Sequence, residues 1–339
     1  MRHHFWEWYI PTYLFLGGLG GGIMCLSMIL YVFVSGCAES VAVALWFPVF
    51  FALACIAIGC CFLILDLGQP FVFYRAFVKN KSVIAWGARL LSVCMIFAAL
   101  WWLSYIPLDF FQPLDDLLAP FRAFNMVVSG ICGAGVMLYT GAMLSTLKAH
   151  SFWATPALPI LFTVSALSTG CAGIMLCAGI HPAMGLAANV QATEAVRNFV
   201  HVGDIILVFA EITVLLVMVL SFLGAGNPVQ NKVAHRWVHG SYAILFWVCM
   251  LGLGLIVPQI INIFCGEIAI LSHVVGPLLV LCGGCLLRFM CIQTDDRAEC
   301  APGEDRYFNK LKKKGEAEFL TRWTSNVQND FYWYSENEF

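Results

Sequence analysis

Long apolar runs alternate with short polar breaks along most of this chain. The runs cover roughly 11–34, 41–65, 83–107, 122–147, 157–180, 200–223, 237–263 and 268–292. Each is long enough for the ~20 residues that carry an α-helix across a bilayer. Backbone N–H and C=O groups find no partners in lipid, so such runs are expected to be helices. Proline and glycine mark the breaks, at Pro70, Pro107, Pro120, Pro156, His181-Pro182 and Gly224 to Pro228. The pattern predicts an all-α membrane protein with eight transmembrane helices. An even number of spans puts both termini on the same side. From Thr294 the pattern stops, and a solvated C-terminal tail is expected over 295–339, with a lysine cluster at Lys310 to Lys314 and the ending FYWYSENEF.

Composition agrees with the pattern. The chain is 61% hydrophobic and 11% charged, where a soluble domain carries about 25% charged residues. The first apolar run is too long for a cleavable signal peptide and is followed by another span. A net charge of −2 says nothing about nucleic acid, but no basic cluster with interleaved aromatics appears ahead of the tail, and no nucleic-acid partner is expected. Most of the fifteen cysteines lie inside apolar runs, where the thiol acts as a small soft hydrophobe. The lone CxxC, Cys282-Gly-Gly-Cys285, lacks the second pair a zinc or iron–sulfur site needs, and small-residue helix packing is the expected reading.

Charge asymmetry bears on orientation. Arg2, Arg75, Lys79, Lys81, Arg89, Lys148, Lys232, Arg236 and Arg288 fall on the side of the termini, whereas the opposite side has Arg122 and Arg197. The positive-inside rule then predicts a multi-pass protein of the cytoplasmic membrane with cytoplasmic termini.

The run from Val41 to Ile64 is uncharged and ends on LDLGQP, so that Asp66 stands at the lip of the second span. Tyr13, about one turn into the first span, and Tyr139, about two turns before the end of the fourth, belong to the same edge. A phenol donates to a carbonyl and a carboxylate accepts a proton, which is what the two oxygens of a quinone require. The plainer alternative makes the tyrosines interfacial belt residues and Asp66 a cap on the Gly68 turn. The five glycines between Gly17 and Gly22 suit either close helix packing or a flat ligand ring.

In the sixth run, which the hydropathy starts near His201, Asp204 and Glu211 are seven residues apart and share one helical face. A charge near mid-bilayer costs roughly 2.5–3.5 kcal/mol on insertion scales, so these groups are expected to face the interior. His201, Asp204 and Glu211, with Arg288 near the opposite edge, make a candidate proton path. The alternative is a neutral Glu211 that fixes packing. Bis-histidine haem would need two facing ligands at matching depth. His201 and His273 both start spans on the side away from the termini, but haem ligands usually sit a turn or two inside, and the chain is expected to hold no haem, iron–sulfur cluster or other metal.

These residues also carry a family resemblance. WEWYIPTYLFLGGLGGG (6–22), LDLGQPFVFYRAF (65–77), SVIAWG (82–87), LYTGAMLSTLKAHSFWATPALPILFTVSALSTG (138–170), TEAVRNFVHVGDIILVFAE (193–211), LGLGLIVP (251–258) and GGCLLRF (283–289) resemble, in order, the NrfD/PsrC membrane subunits of respiratory complexes. The resemblance implies two four-helix bundles, 1–150 with a quinone pocket and 151–294 with a possible proton path. It implies that Asp66 is the family's turn aspartate and Tyr139 the tyrosine of its Tyr-Thr-Gly. Tyr13 stands where a quinone-contacting histidine is found in helix one. The implied cofactor is a quinone, menaquinone first. The implied partners are a four-cluster ferredoxin-like iron–sulfur subunit docked on the LDLGQP face and a catalytic subunit such as a molybdopterin oxidoreductase. The chain would then not be catalytic alone. Typical members turn this face away from the cytoplasm, opposite to what the charge bias predicts here. Two other readings remain, a proton- or ion-translocating subunit and a passive anchor.

Overall fold

The computed structural model describes residues 8–33, 38–66, 83–105, 117–147, 152–180, 190–224, 228–264 and 270–294. Among them, eight helices are long and apolar enough to cross a membrane. The first six spans are α1 (Tyr9–Phe33), α2 (Ala38–Asp66), α3 (Val83–Leu103), α4 (Arg122–Ser145, entered through a 3₁₀ turn at Ala119–Phe121), α5 (Ala157–Ile180) and α6 (Val190–Gly224). A short helix α7, Pro228–Val238, precedes the seventh span. That span is a π-helix, Leu245–Ile256, running into α8, Val257–Phe264; the eighth is a π-turn, Leu271–Val275, running into α9, Gly276–Gln293.

The start of α1 meets the end of α2, where Trp8 and Phe62 stand with ring centroids 5.5 Å apart. The start of α5 meets the end of α9 through the Trp153 indole, which donates to the Cys291 carbonyl at 2.8 Å. We call the end of the molecule where α1 begins the near edge and the opposite end the far edge.

Helix α1 is central. It packs against α2 and α4 and also against α5 and α9. Its glycines make this possible: a Cβ at Gly21 would come within 2.7 Å of the Gly133 carbonyl on α4, and one at Gly22 would overlap the Ala166 carbonyl on α5. Between these helices the glycines serve close backbone approach, the packing device of membrane helices.

Helix α6 begins about three turns before His201, not at it. Its 35 residues would span ~52 Å, well beyond the ~30 Å hydrocarbon core. The polar stretch Thr193 to Asn198 continues the helix past the apolar run.

Candidate functional site

Two groups of polar side chains stand out, one at the near edge of the first four spans and one inside the last four. At the near edge, Tyr13 of α1 is fully buried and Tyr139 of α4 is 5% exposed. Their phenol groups are neighbours, with Cys60 of α2 beside both. Tyr139 Oη donates to Met143 Sδ at 3.4 Å, a weak acceptor. Tyr13 Oη lies beside the Tyr139 hydroxyl but makes no hydrogen bond of good geometry. Gly59 and Gly17 lie against the Tyr13 ring, and at Gly87, in the SVIAWG segment of α3, a Cβ would overlap the Tyr139 ring. All four helices thus shape the pair. Helix α2 ends on Asp66 as expected; the Asp66 side chain and the turn 67–70 lie outside the described residues, as does the tail from 295.

A buried hydroxyl without a partner forfeits about 1–3 kcal/mol of solvation. Such groups are rare in folded proteins and ask for an explanation. An oxygen of a bound molecule between the two phenols and the end of α2 would provide one. The surroundings fit a quinone ring: phenol donors and otherwise apolar walls.

In the last four spans the sequence candidates are brought closer than expected. Arg288, placed near the far end of its span from Glu211 by position alone, is 1% exposed and reaches inward. Its Nη1 donates to Ser165 Oγ at 3.0 Å and to the Gly284 carbonyl at 2.7 Å. The guanidinium stands 5.7 Å from the Phe15 ring and 5.5 Å from the Phe162 ring, in cation–π range. Glu211 is 2% exposed and is surrounded by Ser165, Ser168, the charge of Arg288 and, further off, Asp204. Asp204 Oδ2 accepts from Gln259 Nε2 at 2.8 Å and from Asn262 Nδ2 at 3.2 Å. His201 is half-buried, its Nε2 3.4 Å from the Asn262 carbonyl. Polar groups therefore run from His201 through Asp204 and Glu211 to Arg288, from the far edge toward the near one.

Gln259 and Asn262 were missed in the sequence, although two amides three residues apart in an apolar span were a readable signal. Ser165 and Ser168 gave none, since hydroxyls in a membrane helix usually bond their own backbone. The CxxC segment is a packing element: Cys282 and Cys285 are free thiols, while Gly283 approaches Gly254 so closely that a Cβ on Gly283 would lie 2.7 Å from the Gly254 Cα. Among the described residues no group of three or more His, Cys, Asp or Glu side chains is placed to hold a metal ion.

The model of the family described as polysulphide reductase, NrfD, matches residues 1–295. The chain belongs to the NrfD family. Protein NrfD of Escherichia coli is 27% identical over 85% of this chain and 92% of its own length. A polysulfide reductase component of Wolinella succinogenes is also 27% identical, over 84% of this chain and 92% of its own. A selenate reductase subunit of Mesobacillus selenatarsenatis is 24% identical over 95% of this chain and 81% of its own. With eight apolar spans, this NrfD-family protein is a multi-pass membrane protein.

Proposed function

We propose that this chain is the membrane subunit of a respiratory reductase complex and exchanges electrons between a quinone, menaquinone first, and an iron–sulfur subunit docked at the near edge. The observation that carries this reading is the buried pair Tyr13–Tyr139 with its unpartnered Tyr13 hydroxyl, at the edge where α2 ends on Asp66. Relatives named as parts of polysulfide reductase and selenate reductase belong to multi-subunit reductases. A catalytic subunit such as a molybdopterin oxidoreductase would stand beyond the iron–sulfur one and determine the terminal substrate.

A bound quinone supplies reversible two-electron, two-proton chemistry. The protein's own residues hold and orient it. Tyr139 Oη and Tyr13 Oη donate to its oxygens. Asp66 at the mouth would accept the two protons of quinol oxidation one after the other and pass each to water. The apolar walls of α1 to α4 keep water from the ring. The two electrons would pass to a cluster of the partner.

Asp66→Asn tests the reading: the complex should assemble with its normal partners and lose quinone-linked electron transfer. Normal turnover in the assembled variant would reduce Asp66 to a helix cap.

A second reading adds to the first. The series of half-buried His201 and buried Asp204, Glu211 and Arg288 favours movement of charge through the last four spans, driven by the redox step. Intramembrane ionisable groups are expensive to bury and are functional candidates by default. For orientation we propose cytoplasmic termini in the cytoplasmic membrane. Arg288 leaves the basic tally because its guanidinium is buried, yet Arg75, Lys79, Lys81, Arg89, Lys148, Lys232 and Arg236 still outnumber Arg122 and Arg197. A cysteine placed in the tail should resist impermeant thiol reagents in intact cells; ready labelling would reverse the orientation.

A further inference from the structure

The cluster around Asp204 has more oxygen acceptors than it has donors to fill them. Asp204 Oδ2 takes both amide donors, from Gln259 and Asn262. Asp204 Oδ1, Gln259 Oε1 and Asn262 Oδ1 are buried and receive no hydrogen bond. The three residues are 5%, 6% and 7% exposed. Asp204 and Asn262 line a small cavity closed by Cys171, Ala172, Met175, Pro277 and Val280, with about 10 Å³ of room for the centre of a water-sized particle.

Water alone serves this site poorly. It brings two hydrogens to three acceptors and leaves the carboxylate charge uncompensated, and a buried charge is ordinarily paired or coordinates a cation. The titratable groups facing Asp204 are Cys171 on α5 and Glu211 on its own helix, neither of them a cation; His201, one turn earlier on α6, is half-buried and has its Nε2 3.4 Å from the Asn262 backbone carbonyl. Arg288 is engaged with Ser165 and Gly284, toward the near edge. Carboxylate and amide oxygens are the ligands hard cations take. One carboxylate balances one positive charge, so a monovalent ion leaves the site neutral and a divalent ion does not. The small room suits sodium better than potassium.

The backbone agrees. Gln259 follows Pro258, and Pro277 is on the cavity wall; neither proline has an N–H to offer. π-Helical turns stand on both sides, at Leu245–Ile256 and Leu271–Val275, and such turns gather at functional sites.

We infer that Asp204, Gln259 and Asn262 form an internal binding site for a single sodium ion. This deepens the charge-handling reading of the last four spans by naming the ion that Asp204 holds. A proton on Asp204 would compete with it.

Dicyclohexylcarbodiimide attacks protonated buried carboxyls, so sodium occupancy should protect Asp204. The purified intact complex is treated at fixed pH in sodium, potassium or choline chloride of equal ionic strength, and the Asp204 peptide is read by mass spectrometry. Sodium at about ten times its dissociation constant should slow labelling about tenfold, and potassium or choline should not. Asn262→Ala should still label but lose the protection. Equal labelling in all three salts overturns the proposal and leaves Asp204 a proton site. Retention of radioactive sodium by the same complex gives an independent readout: it should be lost in Asp204→Asn, and background retention by the unmodified complex also overturns the proposal. Quinone-linked turnover measured in parallel separates the two readings, since a failed sodium site with normal turnover leaves the quinone site standing.

Discussion

The two polar regions of this molecule solve different problems with different means. At the near edge of α1 to α4 the named groups are phenols, neutral donors held between regular α-helices. Inside the last four spans they are carboxylates, a guanidinium and amides, and the span that carries both amides is partly π-helical. A neutral ring at a membrane edge needs only a few donors and a close-fitting apolar wall. An ion in the interior needs charge compensation and oxygen ligands, which cost more to bury. The two regions meet at α1, where Gly17 lies against Tyr13 and Gly18 against Arg288; the proposed function puts redox contact on one side of that helix and charge movement on the other.

The largest effect should come from breaking the helix that joins the halves. Gly22→Val drives a side chain into the Ala166 carbonyl; overpacking of this kind costs roughly 1–3 kcal/mol or more, and backbone yields less than side chains. The expected outcome is loss of the assembled protein, read as membrane content by immunoblot. Next is Tyr139→Phe, which removes one donor and leaves the ring. Losing about 1–3 kcal/mol of hydrogen bonding should lower quinone-linked kcat/KM roughly 10- to 100-fold, with assembly intact. Glu211→Gln should separate the halves: charge translocation in proteoliposomes falls while electron transfer stays within about twofold, since the site of each lies in a different half. Loss of both together would mean the halves are not separable. The smallest effect is Cys282→Ser, an exposed free thiol, expected to move stability by less than about 0.5 kcal/mol and to leave activity unchanged.

Much of the fold was legible because lipid removes choices. Where backbone groups can bond only within a helix, an apolar run of sufficient length names its own structure. Hydropathy marks the membrane-crossing part of a helix, not its end, which is why the three turns of α6 before His201 were not read. Nor were the π-helical turns, since the LFWVCMLGLGLI segment has the composition of any apolar span. Arg288 was misjudged in depth. Its Cα is near the near edge, but side chains on a helix lean toward its N-terminus, and α9 runs from the far edge to the near one. The bond from Nη1 back to the Gly284 carbonyl records that lean. Tyr13 and Tyr139 were legible as a pair because both fall at one edge of antiparallel spans. Gly87, which makes room for the Tyr139 ring, carried no signal beyond its place in the family-like SVIAWG.

The most direct measurement is photoaffinity labelling of the intact complex with an azidoquinone, followed by mapping of the labelled peptides. The label should fall on the α1 peptide containing Tyr13 and the α4 peptide containing Tyr139, and decline when excess quinone competes. Labelling confined to other spans, or unchanged by competing quinone, would contradict a redox site at the near edge of the first four helices.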